Sequence, residues 1–208
     1  MKINNYVVIL DYGSGNLKSV MNIFEYLGYK VKISRNLSEV ESSSHIILPG
    51  VGSYESCAKK LENNIGIDLL KDQIITKNKP LLGICVGMQI LSTFGKENVN
   101  SDGLNFISGV VDRLDVHDLP VPQIGWNTIT IKKQNKLLDG IPNNSDFYFV
   151  HSYKFELETK DNIIATTNYE KEFSSIINYK NIYGVQFHPE KSQTYGIKLL
   201  KNFVENIK

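Results

Sequence analysis

The sequence predicts a single α/β domain over residues 1–208, with a mainly parallel central sheet flanked by helices and antiparallel additions in the C-terminal half. Three observations carry this. In the first half, short continuous apolar runs alternate with amphipathic helical stretches, the pattern of parallel strands buried on both faces. In the second half, short strand-like stretches follow one another through Gly, Pro and Asn turns. No linker-like segment separates the halves, and 208 residues suit one domain.

The first strand is Tyr6-Val-Val-Ile-Leu10, stopped by the turn Asp11-Tyr-Gly-Ser-Gly-Asn16. Leu17, Val20, Met21, Phe24 and Leu27 then recur at helical spacing, with Asn16 placed to cap the helix and Gly28 just past its end. Strands are expected next over about residues 30–34 and at 45–48, the latter ended by Pro49-Gly-Val-Gly52. Residues 54–78 are mostly helical in pattern, and Pro80-Leu-Leu-Gly-Ile84 reads as the fourth strand, running into Cys85. The second half offers strands at 110–114, 127–131, 147–150, 163–167, 174–179 and 183–187. A last amphipathic helix presents Leu199, Leu200, Phe203, Val204 and Ile207 on one side.

Composition removes whole classes of function. Lys and Arg number 23 against 22 Asp and Glu, a formal charge of +1, and the lysines are scattered among acids, so nucleic acid is excluded as the expected partner. No apolar run approaches the ~20 residues of a spanning helix, and Met1-Lys-Ile-Asn-Asn leads straight into the first strand without a secretory apolar region, so a cytoplasmic protein with no membrane contact is expected. Two cysteines, Cys57 and Cys85, make no disulfide framework. His45, His117, His151 and His188 are widely spaced without a metal-ligand pattern, and no metal or cofactor is expected. Gly13-Ser-Gly15 follows a strand as in dinucleotide sites, but Lys18 stands where the third glycine would be, and Arg35 and Asn36 stand where an acid would end the second strand.

Chemistry concentrates at Gly83-Ile-Cys85-Val-Gly87-Met-Gln89, where a buried strand gives way to a helical pattern. A nucleophile on a sharp strand-to-helix turn needs small residues two before and two after it, and Gly83 and Gly87 supply them. That turn sets the Cys85 sulfur near a helix N-terminus, which favours thiolate, and offers the Val86 N–H to an oxyanion. Alone, the segment also fits a buried core cysteine beside a tight turn. Downstream, His188-Pro189-Glu190 follows an apolar strand. Proline pushes His188 toward extended geometry, where residues two apart share a side, so Glu190 can hold one imidazole nitrogen while the other faces a thiol. Pro49-Gly50-Val51-Gly52 lies after another strand; it fits an ordinary turn equally well as a loop whose peptide presents an N–H to substrate. Ligand sites of open α/β sheets gather at such strand ends. Cys57 sits in a helical pattern with no glycine elbow and is expected to tolerate replacement.

Together these three segments resemble the class I (triad) glutamine amidotransferases over nearly the whole length. Asp11-Tyr-Gly-Ser-Gly-Asn16, Gly125-Trp-Asn127 and Phe149-Val-His-Ser-Tyr153 look like the glutaminase subunits of imidazole glycerol phosphate synthase within that family. The resemblance implies a flavodoxin-like amidotransferase fold that hydrolyses L-glutamine to glutamate and ammonia through a cysteinyl thioester. It implies Cys85 as nucleophile, His188 as its base and acid, and Glu190 as the group orienting His188. It implies an oxyanion site from the N–H groups of Val86 and of the Val51-Gly52 loop, which in this family rearranges with the partner's substrate, and Gly52, Gln89, Glu97, Ser152 and Tyr153 around the amino-acid end of glutamine. The implied partner is a cyclase subunit of the HisF type, an eight-stranded α/β barrel that forms a heterodimer and uses the ammonia for histidine biosynthesis, with Asn16, Trp126 and Tyr148 as candidates for the shared surface. Two alternatives stay open, a paralogous surface-sugar system fed by the same chemistry and an idle subunit that only regulates its partner, while the subfamily motifs disfavour a hydrolase of other γ-glutamyl compounds.

Overall fold

A computed structural model describes residues 6–208; the N-terminal segment read above for a secretory signal, and the first five residues of the expected domain, lie outside it. Among the described residues no helix is long and apolar enough to cross a membrane.

The chain begins β1 (Tyr6–Leu10), α1 (Leu17–Tyr26), β2 (Lys30–Ser34), α2 (Leu37–Ser42), β3 (His45–Gly50), α3 (Tyr54–Asn64), α4 (Ile67–Lys71), β4 (Leu81–Cys85) and α5 (Val86–Gln89). It continues with β5 (Phe94–Gly95), β6 (Ser101–Asp102), β7 (Gly109–Arg113), β8 (Gln123–Ile131), β9 (Asp146–His151), β10 (Tyr153–Leu157), β11 (Ile163–Tyr169), β12 (Lys171–Tyr179), β13 (Ile182–Val185) and α6 (Gln193–Asn206). The main sheet is ordered β2-β1-β3-β4-β13-β12-β11-β8-β9. Its first five strands are parallel and the rest antiparallel, so the expected mixed sheet is present. Val7, Val8, Ile9, Leu10, Ile46, Ile47, Leu48, Leu81 and Leu82 are fully buried, the signature of parallel strands covered on both faces.

Several details differ from the sequence reading. The helical stretch 54–78 is broken: Gly66 at φ +86 ends α3, and α4 runs into a π-helical turn, Asp72–Thr76. Not all second-half strands extend the main sheet; β7 joins a separate sheet, β10-β7-β5-β6, whose other strands were not anticipated. The last expected strand, β13, lies parallel to β4 rather than adding to the antiparallel group alone. Helix α2 also went unseen, since six residues give little periodicity; Asn36 caps it, accepting from the Ser38 N–H at 3.0 Å. Gly28 does stand just past α1, with its N–H on the Glu25 carbonyl. Asn16 holds the N-cap position of α1 but does not cap it, because its side chain reaches Glu190 instead.

What positions the site is the order β3-β4-β13. Gly50 pairs with Cys85 and Ile84 with Val185, so the C-terminal ends of three adjacent parallel strands deliver Pro49–Gly52, Cys85 and His188 to one edge of the sheet.

Candidate active site

Cys85 sits at φ +56, ψ −115, a backbone region that costs a non-glycine residue about 1–3 kcal/mol and that only a crowded turn enforces. The crowding is measurable. A Cβ on Gly83 would lie 2.6 Å from the Gly87 carbonyl oxygen, and one on Gly87 would lie 1.8 Å from the Leu48 carbonyl oxygen. One on Gly50 would meet the Gly87 nitrogen at 2.5 Å. Three glycines thus let β3 and the β4–α5 turn touch backbone to backbone, and the strained elbow lifts the Cys85 sulfur toward the cleft. The helix it heads is a single turn, shorter than the sequence pattern suggested, so its dipole contributes little beyond its first free N–H groups, Val86 among them.

Across the cleft, His188 is extended as expected (φ −98, ψ 96), but Pro189–Lys191 closes into a 3-10 turn. That turn, rather than an extended tripeptide, brings the Glu190 carboxylate to 2.9 Å from His188 Nδ1. Both side chains are almost fully buried. Strand β9 fixes the backbone that carries the imidazole: the main-chain N–H of His188 donates to the Tyr148 carbonyl at 2.9 Å, and the Ser192 hydroxyl donates to the His188 carbonyl while accepting the Tyr148 N–H. Burial works against a charged imidazole, yet the neighbouring Cys85 and Glu190 side chains outweigh it and raise the His188 pKa to about 10. The Cys85 thiol donates to the Val150 carbonyl at 3.7 Å. Asn16 completes the row by donating to Glu190 Oε1 at 3.3 Å.

A cleft of about 280 Å³ opens beside the sulfur, a size suited to a small polar molecule. Val51, Gly52, Cys85, Val86, Gln89, Glu97, Ser152, Tyr153 and His188 all line it, so the structure gathers the sequence-predicted catalytic and binding residues, with Glu190 just behind His188. Gln89 donates to the Tyr153 carbonyl at 3.0 Å. Glu97 accepts the Tyr54 N–H at 2.6 Å, at the start of α3.

The glycine-flanked loop is held in one setting. The Val51 N–H donates to Ser14 Oγ at 3.2 Å, and the Ser14 hydroxyl donates to the Val51 carbonyl at 2.5 Å. In this conformation the Val51 N–H is occupied by Ser14 and turned away from any oxyanion role. Cys57 joins the same cluster, 3.3 Å from Ser14 Oγ and 3.5 Å from the Val51 carbonyl, so it buttresses the loop rather than lying apart from the site.

The partner-surface candidates divide. Trp126 is half exposed on β8 and packs edge-on against Tyr148 of β9, with ring centroids 5.9 Å apart, while Ile124 beside it is 64 % exposed. Asn16 instead faces inward to Glu190. Several residues at or behind the cleft were given no role by the sequence reading. His151 is buried with Nδ1 on the Tyr153 carbonyl, and burial lowers its pKa to about 4, which keeps it neutral. Lys191 and Pro122 line the cleft mouth. Gln186, fully buried, contacts both Gln89 and Cys85; the signal available was a lone polar residue within the apolar run Ile182-Tyr-Gly-Val-Gln-Phe187, two positions before His188.

A strained cysteine on a strand-to-helix elbow, a buried histidine–glutamate pair facing it and a cleft for a small molecule form the arrangement that acyl-transfer chemistry on a cysteine requires. The class-I glutamine amidotransferase family matches residues 8–207, and this chain belongs to it. Within the family it is 41% identical over 95% of its length to the imidazole glycerol phosphate synthase subunit HisH of Pelagibacter ubique, covering 98% of that protein. With the HisH subunit of Leptospira borgpetersenii it shares 46% identity over 94% of this chain and 97% of the other. The solved structure of PurLQS from Thermotoga maritima has the same fold, with a TM-score of 0.71 at 14% identity, over 99% of this chain and 100% of the chain compared.

Proposed function

We propose that this chain is the glutaminase subunit of a cytoplasmic imidazole glycerol phosphate synthase, hydrolysing glutamine and passing the ammonia to a cyclase partner of the HisF type. The observation that carries the chemistry is the Cys85–His188–Glu190 row at the mouth of one small cleft. The pathway rests on the relatives named HisH, each matched over nearly its whole length.

His188 takes the proton of the Cys85 thiol as the sulfur attacks, and Glu190 on its other nitrogen favours the imidazolium so formed. The thiolate attacks the side-chain carboxamide carbon of glutamine, and the carbonyl oxygen becomes an oxyanion facing the Val86 N–H. The C–N bond breaks as His188 gives its proton to the departing nitrogen, releasing ammonia and leaving a glutamyl thioester on Cys85. Water then attacks that thioester, His188 takes one of its protons, and glutamate leaves as the sulfur anion is restored. Glu190 keeps Nδ1 protonated and the ring oriented throughout. Gln89, Glu97 and the Ser152–Tyr153 backbone hold the amino-acid end. A second oxyanion donor becomes available when the Val51 peptide leaves Ser14, and one missing donor costs ~10²–10³ in rate. The exposed Trp126 and Ile124, with the partly buried Tyr148 packed against the indole, support the docking of the barrel partner.

The test is glutamate release by this chain alone, with a cyclase barrel, and with the barrel carrying its phosphoribosyl substrate. Stimulation by the loaded barrel and loss of release in Cys85→Ala are expected. Turnover that ignores the barrel, or survives that substitution, contradicts the reading.

A further inference from the structure

The hydrogen-bond directions behind Cys85 are forced. The Tyr153 carbonyl can only accept, so Gln89 must turn its NH₂ group toward it, at 3.0 Å. The second hydrogen of that NH₂ meets Gln186 Oε1, also at 3.0 Å. With its oxygen committed, Gln186 has only its own NH₂ group left to present on the far side, and Nε2 stands 3.9 Å from Cys85 Sγ. Gln186 is fully buried and does not line the cleft, so it takes no part in holding substrate. It lies just past the end of β13, two residues before His188, where its main-chain N–H donates to the Ser175 carbonyl of β12 at 2.9 Å.

We propose that Gln186 is a donor to the catalytic sulfur, its amide locked by the Tyr153–Gln89 relay so that an N–H always faces Cys85. A donor is neutral toward a thiol and favourable toward a thiolate, and the contact strengthens as charge collects on sulfur. Gln186 therefore favours the attacking form of Cys85 from below while His188 does so from the side. For turnover this deepens the glutaminase reading and rests on it.

The decisive experiment avoids glutamine. The full chain is treated with iodoacetamide, and alkylation of the Cys85 peptide is followed by mass spectrometry at pH 7 and at pH 9.5, for wild type, Gln186→Met and Gln186→Glu. Gln186→Met keeps the volume and removes the donor; an about tenfold slower alkylation at pH 7 is expected, the scale of one charged hydrogen bond, with the deficit shrinking at pH 9.5 where free thiols ionise unaided. Gln186→Glu keeps the acceptor for Gln89 but sets a carboxylate toward sulfur, and is expected to be slower still at pH 7. Gln186→Asn, neutral and smaller but one methylene too short to reach both Gln89 and the sulfur, is expected to be slowed as Gln186→Met is, and decides the matter where the other variants fail to fold. Alkylation rates equal to wild type, or a deficit unchanged between the two pH values, overturn the proposal. A wild-type complex that releases no glutamate would instead overturn the glutaminase reading and leave the alkylation result standing.

Discussion

Gly87→Ala tests whether backbone contact between β3 and the elbow builds the site. The added methyl would lie 1.8 Å from the Leu48 carbonyl oxygen, 2.9 Å from the Leu48 carbonyl carbon and 3.3 Å from that of Pro49. Relief to an ordinary C···O contact of ~3.3 Å requires a shift of roughly 1.5 Å between two backbone segments. Neither is a flexible side chain, so the loss should reach about 3 kcal/mol, the upper end of ordinary overpacking. The same shift carries the Cys85 sulfur and the Val86 N–H away from His188, and a displacement of about 1 Å in a reacting group costs ~10²-fold in rate. Urea unfolding and glutamate release by the partnered enzyme read the two effects. Gly28→Ala is the control: φ is +80 but nothing lies within 4 Å, so about 1–2 kcal/mol of backbone strain with unchanged kcat is expected. If Gly87→Ala behaves like Gly28→Ala, the elbow does not depend on that contact.

Three further outcomes follow from the geometry. Because the folded pKa of His188, about 10, lies above its ordinary 6.5, its proton stabilises the fold fully below pH 6.5, and that contribution fades as pH rises through 10. The urea-melt advantage of wild type over His188→Gln should therefore narrow from pH 6.5 to above pH 10; a widening gap is inconsistent with the buried pair. His151 has the opposite sign: held neutral with a pKa near 4, it stabilises above pH 6.5 and progressively less as pH falls toward 4, on the order of 3 kcal/mol in all. His151→Gln should flatten that acid limb, and an unchanged limb assigns it elsewhere. Trp126→Ala should weaken calorimetric association with the barrel partner by about tenfold or more while the isolated chain melts normally, since a half-exposed indole on β8 holds little of the core; undiminished affinity moves the interface to another face.

Much of the site was legible because its constraints are local. Gly83 and Gly87 flank Cys85 at the spacing an elbow demands, and the structure shows each Cβ it forbids. The placement of His188 needed one inference more, that two strand ends meet, and the β4–β13 pairing supplies it. Features set by distant partners were not legible. Asn16 has the residue type of an N-cap, yet it bonds Glu190, 174 positions along the chain. Ser14 and Cys57 read as a turn serine and a helix cysteine until they are seen on both sides of the Val51 peptide. Strands β5, β6 and β10 escaped because two-residue ladders and a strand separated from β9 by the single residue Ser152 leave no period to detect. Gln186 was hidden by its neighbours, since a polar residue inside an apolar strand is weighed as an exception until its partners are known.

The most direct measurement is acid quenching of the complex during glutamine turnover, followed by peptide mass spectrometry. A glutamyl adduct on the peptide bearing Cys85, lost in Cys85→Ala and accumulating in His188→Gln only as far as the remaining slow attack allows, is the expected result. An adduct on Cys57, or undiminished glutamate release from Cys85→Ala, would contradict the central claim that this sulfur and this imidazole share one reaction.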